Sequence, residues 1–215
     1  MRLAALRDQV VEYGQRLAAT GLSVGTTGNI SVIDRAQGLV AISPSSMEYS
    51  QVRAADVVLL NLAGEQVDGE RRPSSESGMH LGCYRQRSDI GAVVHTHSAA
   101  ATALAVLGRE LPAVHYMLAL GGGSSIPLAP YHLYGSAALA EAAVIAMGEG
   151  YGCLLQNHGV LATGVDLGQA WSLAEQIEFC ADVYLRTLAV GEPQLLSDKQ
   201  MREVMSQLDS YRRQV

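Results

Sequence analysis

At 215 residues, 48% of them hydrophobic and 17% charged, the chain is long enough to bury a substantial core in one domain, residues 1–215. A formal net charge of −6 without any clustered basic stripe argues against a nucleic-acid binder, and no apolar run reaches membrane-spanning length. The three cysteines, Cys83, Cys153 and Cys180, are odd in number and far apart, which suits neither a disulfide framework nor a thiolate zinc site and points to a reducing, cytoplasmic setting.

Met1 to Asp8 reaches a charge pair too early for a signal peptide. From Leu3 to Ala19 the apolar residues Leu6, Val10, Tyr13 and Leu17 recur at helical spacing and stop at Thr20-Gly21. Ser23 to Gly28 reads as a turn into a strand that continues to Ile33. Its glycines and threonines could cradle an anion or form a plain connection. Leu39–Ile42 is a short strand leading to the small-residue turn Ser43-Pro44-Ser45-Ser46, and Asp56–Asn61 is another strand. A hairpin turn and a polar segment then end at Arg71-Arg72. Pro73-Ser74-Ser75-Glu76 opens a helix from Ser77 to Arg87, and these residue types are also ordinary helix-start chemistry.

Ala92 to Val94 leads into His95-Thr96-His97. On a strand, residues i and i+2 share a face, so the two imidazoles project together as half of a divalent metal site. Taken alone, the pattern equally fits an edge strand with two solvated histidines. Further on come a small-residue helix (Ala99–Leu107), an extended or helical piece (Leu111–Leu118) and the joint Gly121-Gly122-Gly123. An extended proline-containing run (Ile126–Tyr131) precedes a helix from Ser136 to Met147. Cys153–Gln156 and Val160–Gly164 are strands joined by Asn157-His158-Gly159, and helices follow over Leu167–Val190 and Asp198–Tyr211. The alternation predicts an α/β fold, a three-layer arrangement with a mixed central β-sheet flanked by helices.

One compositional feature bears on chemistry. Lys199 is the single lysine among 15 basic residues, and it lies in a polar helix start capped by Ser197. A Schiff-base lysine must be desolvated to be nucleophilic, so covalent lysine catalysis does not suit this chain.

The motifs Gly28-Asn29-Ile30-Ser31, Ser43-Pro44-Ser45, Pro73-Ser74-Ser75-Glu76, His95-Thr96-His97 and Gln156-Asn157-His158-Gly159 resemble, in order and spacing, those of the class II aldolase/adducin family. His115-Tyr116-Met117, Gly122 to Pro127, Ala129-Pro130-Tyr131 and Leu196-Ser197-Asp198 extend the resemblance over nearly the whole chain.

The resemblance implies one Zn²⁺ per subunit on His95, His97 and His158, with Glu76 as fourth ligand and as the group that exchanges a proton with a dihydroxyacetone phosphate fragment. It implies a phosphate site from Gly28, Asn29, Ser43, Ser74 and Ser75. It gives Tyr116 a proton-handling role in a neighbouring subunit's site, with Tyr211 as the counterpart of a second, C-terminal tyrosine. It also implies a homotetramer with sites at subunit interfaces. His80, His115 and His132 read as structural.

The reaction so implied is reversible aldol cleavage of a ketose 1-phosphate of the L-fuculose, 5-deoxyribulose or methylthioribulose type. Within the family, pentulose-5-phosphate 4-epimerases and methylthioribulose-1-phosphate dehydratases are the competing enzymes, and a non-catalytic adducin-like module is the competing class. Glu76, where the epimerases usually carry aspartate, favours the aldolase. Thr96, Asn157, Ser77-Gly78 and the stretch His132 to Tyr134 depart from the fuculose-type pattern, leaving the aldehyde half open.

Overall fold

A computed structural model describes residues 1–212, the side chains of Asp209, Tyr211 and Arg212 excepted. The first half of the chain runs α1 (Ala4–Thr20), β1 (Asn29–Asp34), β2 (Leu39–Ile42), β3 (Val58–Asn61), β4 (Gln66–Asp68), α2 (Ser77–Gln86), β5 (Ala92–Thr96) and α3 (Ala99–Val106). The second half runs through a 3-10 turn (Tyr116–Gly121), β6 (Leu128–Ala129), α4 (Ala137–Met147), β7 (Gly152–Leu155), β8 (Gly159–Gly164), α5 (Leu167–Leu188) and α6 (Asp198–Arg212).

The strands form one sheet in the order β4-β3-β2-β1-β5-β8-β7-β6, antiparallel throughout except for the parallel pair β6–β7. Period-2 alternation divides its side chains between two cores. Ile30, Val32, Ala92, Val94, Val160 and Ala162 pack with α1, α3 and α5 residues such as Leu17, Leu104 and Trp171. Val40, Val58, Val93, Leu155 and Leu161 pack instead under α2 and α4, against Met79, Tyr84, Leu139 and Met147. The result is the three-layer mixed α/β arrangement expected from the sequence. Each fully buried leucine or isoleucine contributes roughly 1.5–3 kcal/mol, so both faces of the sheet are strongly held.

Two details differ from the expectation. Gln66–Asp68, read as a polar segment, is the edge strand β4. It has one neighbour and largely exposed side chains, so no apolar alternation marks it. Its Asp68 accepts a 2.6 Å bond from Arg7, a buried side chain that also donates to the Arg2, Ala54 and Val57 carbonyls. The segment after Leu111 divides into an isolated bridge with Ile126 and the 3-10 turn, where His115 Nδ1 accepts from the Met117 N–H at 3.3 Å.

Helix α5 anchors the chain just past the strand histidines. Its Glu178 carboxylate accepts from the N–H groups of Ala100 and Ala101 at 2.9 Å each, satisfying donors that the start of α3 leaves open. The chain leaving β5 is thereby clamped immediately beyond His97.

Candidate metal and anion site

β5 carries His95 and ends at Thr96, so His97 follows directly as the chain leaves the sheet. Both histidines are on the α2/α4 side of the sheet by strand parity, together with Val93. Glu76 is the N-cap of α2, and His158 lies in the turn between β7 and β8. Asn157 holds φ 55° in that turn, a left-handed conformation that asparagine tolerates. Gly159 lets the turn close, since a Cβ there would stand 2.1 Å from the Thr96 carbonyl oxygen and 3.2 Å from the His97 ring.

These four residues converge. One candidate ligand atom from each of Glu76, His95, His97 and His158 lies within 4.8 Å of the others, and the three imidazole centroids are mutually 4.9 Å apart. His95 Nε2 is 3.1 Å from Glu76 Oε2 and 3.0 Å from His97 Nε2, while His158 Nε2 is 3.2 Å from Glu76 Oε1. His95 Nδ1–H donates to the Val160 carbonyl at 2.8 Å, which leaves Nε2 of the neutral ring as a bare lone pair aimed at the cluster.

Two observations test whether a divalent cation suits this cluster. The bare His95 Nε2 faces a carboxylate oxygen, acceptor against acceptor. Glu76 Oε1 is buried and makes no hydrogen bond of acceptable geometry despite the nearby His158. Three imidazoles and one carboxylate of this kind are a zinc-type donor set. Burial pushes the Glu76 carboxyl upward, but the opposing influence of His95 and His158 outweighs it and holds the group well below the usual carboxylate range. Burial, reinforced by the neighbouring His95 and His158, pushes His97 down to about 4. A neutral imidazole is the form that binds metal.

Beside the cluster is a cavity of about 280 Å³ lined by Thr26, Thr27, Gly28, Asn29, Pro44, Ser45, Ser46, Ser74, Ser75, Glu76, His97, Tyr134 and His158. Gly28 has φ +75°, and a Cβ there would meet Ser23 Oγ at 2.4 Å and the His95 carbonyl at 2.8 Å. A side chain at that position would therefore displace the loop from the end of β5. The two serine turns are laced together, with Ser45 N–H donating to the Arg72 carbonyl at 2.9 Å and Ser74 N–H to the Ser43 carbonyl at 3.1 Å.

Of the residues expected at an anion site, Gly28, Asn29, Ser74 and Ser75 line this cavity. Ser43 is fully buried beneath it, accepting from the Ile30 N–H and the Tyr49 hydroxyl. Asn29 is occupied by Glu76 and His80. Thr26, Thr27, Ser45 and Ser46 complete the rim with neutral donors, and among the described residues neither lysine nor arginine lines the cavity. Tyr134 stands at the mouth, two-thirds exposed, in a loop whose Gly135 (φ +70°) rides against the Ser75 carbonyl. Sequence motifs located the small-residue turns but did not distinguish Tyr134 from its neighbours.

Tyr116 does not line this cavity. It is half exposed at the start of the 3-10 turn, which packs against α5 and α6, and its ring lies 4.7 Å from that of His115. The side chain of Tyr211 falls outside the described residues. His80, read as structural, is fully buried but bonded to Asn29 and so one step from Glu76.

Residues 8–185 match a family model described as the class II aldolase and adducin N-terminal domain. A 5-deoxy-D-ribulose 1-phosphate aldolase from Bacillus thuringiensis is 47% identical, the match covering 100% of each chain. A 5-methylthioribulose-1-phosphate/5-deoxyribulose-1-phosphate aldolase from Rhodospirillum rubrum is 40% identical over 96% of this chain and 92% of that protein. Among solved structures, an L-fuculose 1-phosphate aldolase superposes with a TM-score of 0.95 at 39% identity, covering 97% of this chain and 98% of its own.

Proposed function

The chain belongs to the class II aldolase and adducin family, and we propose that it cleaves a ketose 1-phosphate to dihydroxyacetone phosphate and a small aldehyde, with zinc held by Glu76, His95, His97 and His158. The observation that carries this reading is the convergence of three imidazoles and one carboxylate, with Glu76 Oε1 left unpartnered, beside a cavity rimmed by neutral donors. When bound, the zinc supplies a Lewis acid for the substrate carbonyl and its adjacent hydroxyl.

The protein's own groups supply the rest. The Gly28 to Asn29 backbone and the Ser45, Ser46, Ser74 and Ser75 hydroxyls bind the phosphate without any cationic side chain, beside the N-terminus of α2. Cleavage breaks C3–C4 as the C4 hydroxyl loses its proton, and C3 of the dihydroxyacetone phosphate half then takes up a proton. Glu76, at the cavity wall, passes to C3 a proton it takes up from solvent, and removes it from C3 in the reverse condensation. Tyr116 acts on the C4 oxygen of a neighbouring copy's substrate, within a cytoplasmic homotetramer. Its exposure, and its absence from its own chain's cavity, support that division of labour. Tyr211 is assigned to the same aldehyde end.

Among the described residues, neither lysine nor arginine lines the cavity, which suits a substrate with a single phosphate and an uncharged aldehyde half. The relatives named as deoxyribulose-phosphate aldolases favour 5-deoxyribulose 1-phosphate among such substrates. The test is dihydroxyacetone phosphate release from 5-deoxyribulose, methylthioribulose, fuculose and rhamnulose 1-phosphates by zinc-loaded and chelator-stripped protein. Zinc-dependent release, fastest with 5-deoxyribulose 1-phosphate, is expected. No release from any member of the panel would overturn aldol cleavage.

A further inference from the structure

Behind Glu76 runs a buried series of polar side chains that the proposed reaction does not use. Asn29 Nδ2 donates to Glu76 Oε2 at 3.1 Å, and Asn29 Oδ1 is 2.5 Å from His80 Nε2. His80 Nδ1 is 2.7 Å from Ser31 Oγ, which is in turn 2.7 Å from the Tyr84 hydroxyl. His80 and Ser31 are fully buried, and Tyr84, Asn29 and Glu76 are nearly so. Asn29 and Ser31 share one face of β1, and His80 and Tyr84 are one turn apart on α2, so the strand and helix interleave their polar groups in alternation.

We infer that His80 is a positioning residue of this site, whose Nε2–H tautomer fixes the Asn29 amide so that its NH₂ group, not its oxygen, meets Glu76. The inference rests on the proposed role of Glu76 as an ionised metal ligand and proton carrier.

Donor and acceptor capacities leave one consistent assignment. An ionised carboxylate only accepts, so Asn29 must present Nδ2 to it and turn Oδ1 toward the ring. Nε2 of His80 must then carry the proton. Nδ1 of the neutral ring is bare and accepts from the Ser31 hydroxyl, whose oxygen accepts from Tyr84. Burial, aided by the nearby His95, pushes His80 down to about 3, so the ring is neutral near pH 7. Were the proton on Nδ1, Nε2 would need a donor, the amide would turn over, and Asn29 Oδ1 would oppose Glu76 Oε2 at the same short distance. Within the buried interior that acceptor–acceptor contact is costly. The ring therefore sets the sign of the contact made to Glu76 without itself touching the cavity.

The experiment has one readout on the unmodified protein and one on variants. With full-length protein carrying ¹⁵N-histidine, a long-range ¹H–¹⁵N spectrum near pH 7 reports the tautomer of each ring, and His80 is assigned by the signal lost in His80→Gln. A neutral Nε2–H ring is expected, and an Nδ1–H ring or an imidazolium would overturn the inference. Glutamine can keep a donor toward Asn29, whereas leucine cannot. His80→Leu is therefore expected to lose about 10–100-fold in zinc affinity and a comparable factor in kcat, while His80→Gln recovers most of both. Wild-type zinc affinity in a folded His80→Leu protein, or equal impairment of the two variants, would also overturn it. If the wild-type protein bound no zinc while showing the Nε2–H ring, the site reading would fall instead of the tautomer assignment.

Discussion

Asn29 and His95 are paired directly across β1 and β5, and both approach the same oxygen, Glu76 Oε2, at 3.1 Å. Paired residues on neighbouring strands share a face, so this register aims an amide and an imidazole at one carboxylate held at the start of α2. The antiparallel β1–β5 pairing is thus part of the site's geometry, since a slip by one residue would turn one of the two side chains into the opposite core.

Glu76→Gln keeps the volume and one acceptor oxygen but removes the charge and turns the other oxygen into a donor. The variant should remain folded, lose zinc affinity, and fall about 10²–10⁴-fold in kcat even when zinc is supplied in excess, which is the range for a positioned acid–base group. Dihydroxyacetone phosphate release and metal content, measured on the same preparation, check this. A variant that recovered full turnover on zinc addition would show that Glu76 carries no proton.

Gly159→Ala tests how tightly the His158 turn must close. The added methyl would meet the Thr96 carbonyl at 2.1 Å, a backbone atom within the β5–β8 ladder that cannot swing aside. Overpacking of this kind costs about 1–3 kcal/mol or more. Relief by lifting the turn would carry His158 away from His95 and His97. A lower urea midpoint together with loss of stoichiometric zinc is expected. Unchanged zinc content would mean that the turn relaxes without moving His158.

Much of this geometry is legible in the sequence because its signals are local. His-x-His on a strand has period 2, Asn157-His158-Gly159 is turn chemistry, and Pro73 to Glu76 is a helix start. The networks behind the ligands are not local. His80 reads as a core histidine because its role depends on which strand lies opposite α2, and a separation of 51 residues between Asn29 and His80 carries no trace of that pairing. Ser43 sits in a motif that reaches the cavity, yet its own hydroxyl is turned inward to Tyr49 and the Ile30 N–H. Tyr134 comes to the mouth through a loop whose path depends on Gly135 resting against Ser75. In each case residue type is readable while direction is set by tertiary packing.

The buried His80 also predicts a pH dependence of stability. Its folded pKa, pushed down to about 3 chiefly by burial, is below the ordinary value of 6.5. The unfolded chain therefore takes up a proton that the folded chain refuses. The ring's contribution to stability is fully present above about pH 6.5 and is lost as pH falls toward 3, on the order of 5 kcal/mol at the limit. Melting of zinc-stripped protein from pH 7.5 to 4.5 should show a steep decline in the wild type and a shallower one in His80→Gln. Parallel curves would show that other groups govern the acid limb.

The final prediction concerns Tyr116, which is exposed and away from its own chain's cavity. If it serves a neighbouring copy, Glu76→Ala and Tyr116→Phe damage different halves of one composite site. Each homo-oligomer should then be nearly inactive. Mixing the two chains by co-refolding should restore activity, because a subunit with intact Glu76 can meet a neighbour with intact Tyr116. For a cyclic assembly with heterologous contacts and random equal mixing, about one quarter of sites combine both intact residues. Recovery near that fraction of wild-type kcat, measured as dihydroxyacetone phosphate release, is the expected result. If Tyr116 acts within its own chain, or in no site at all, mixing the two variants creates no additional intact site and the activity stays at the mean of the two parents. The doubly substituted chain, mixed with wild type, supplies the control for exchange of subunits during refolding.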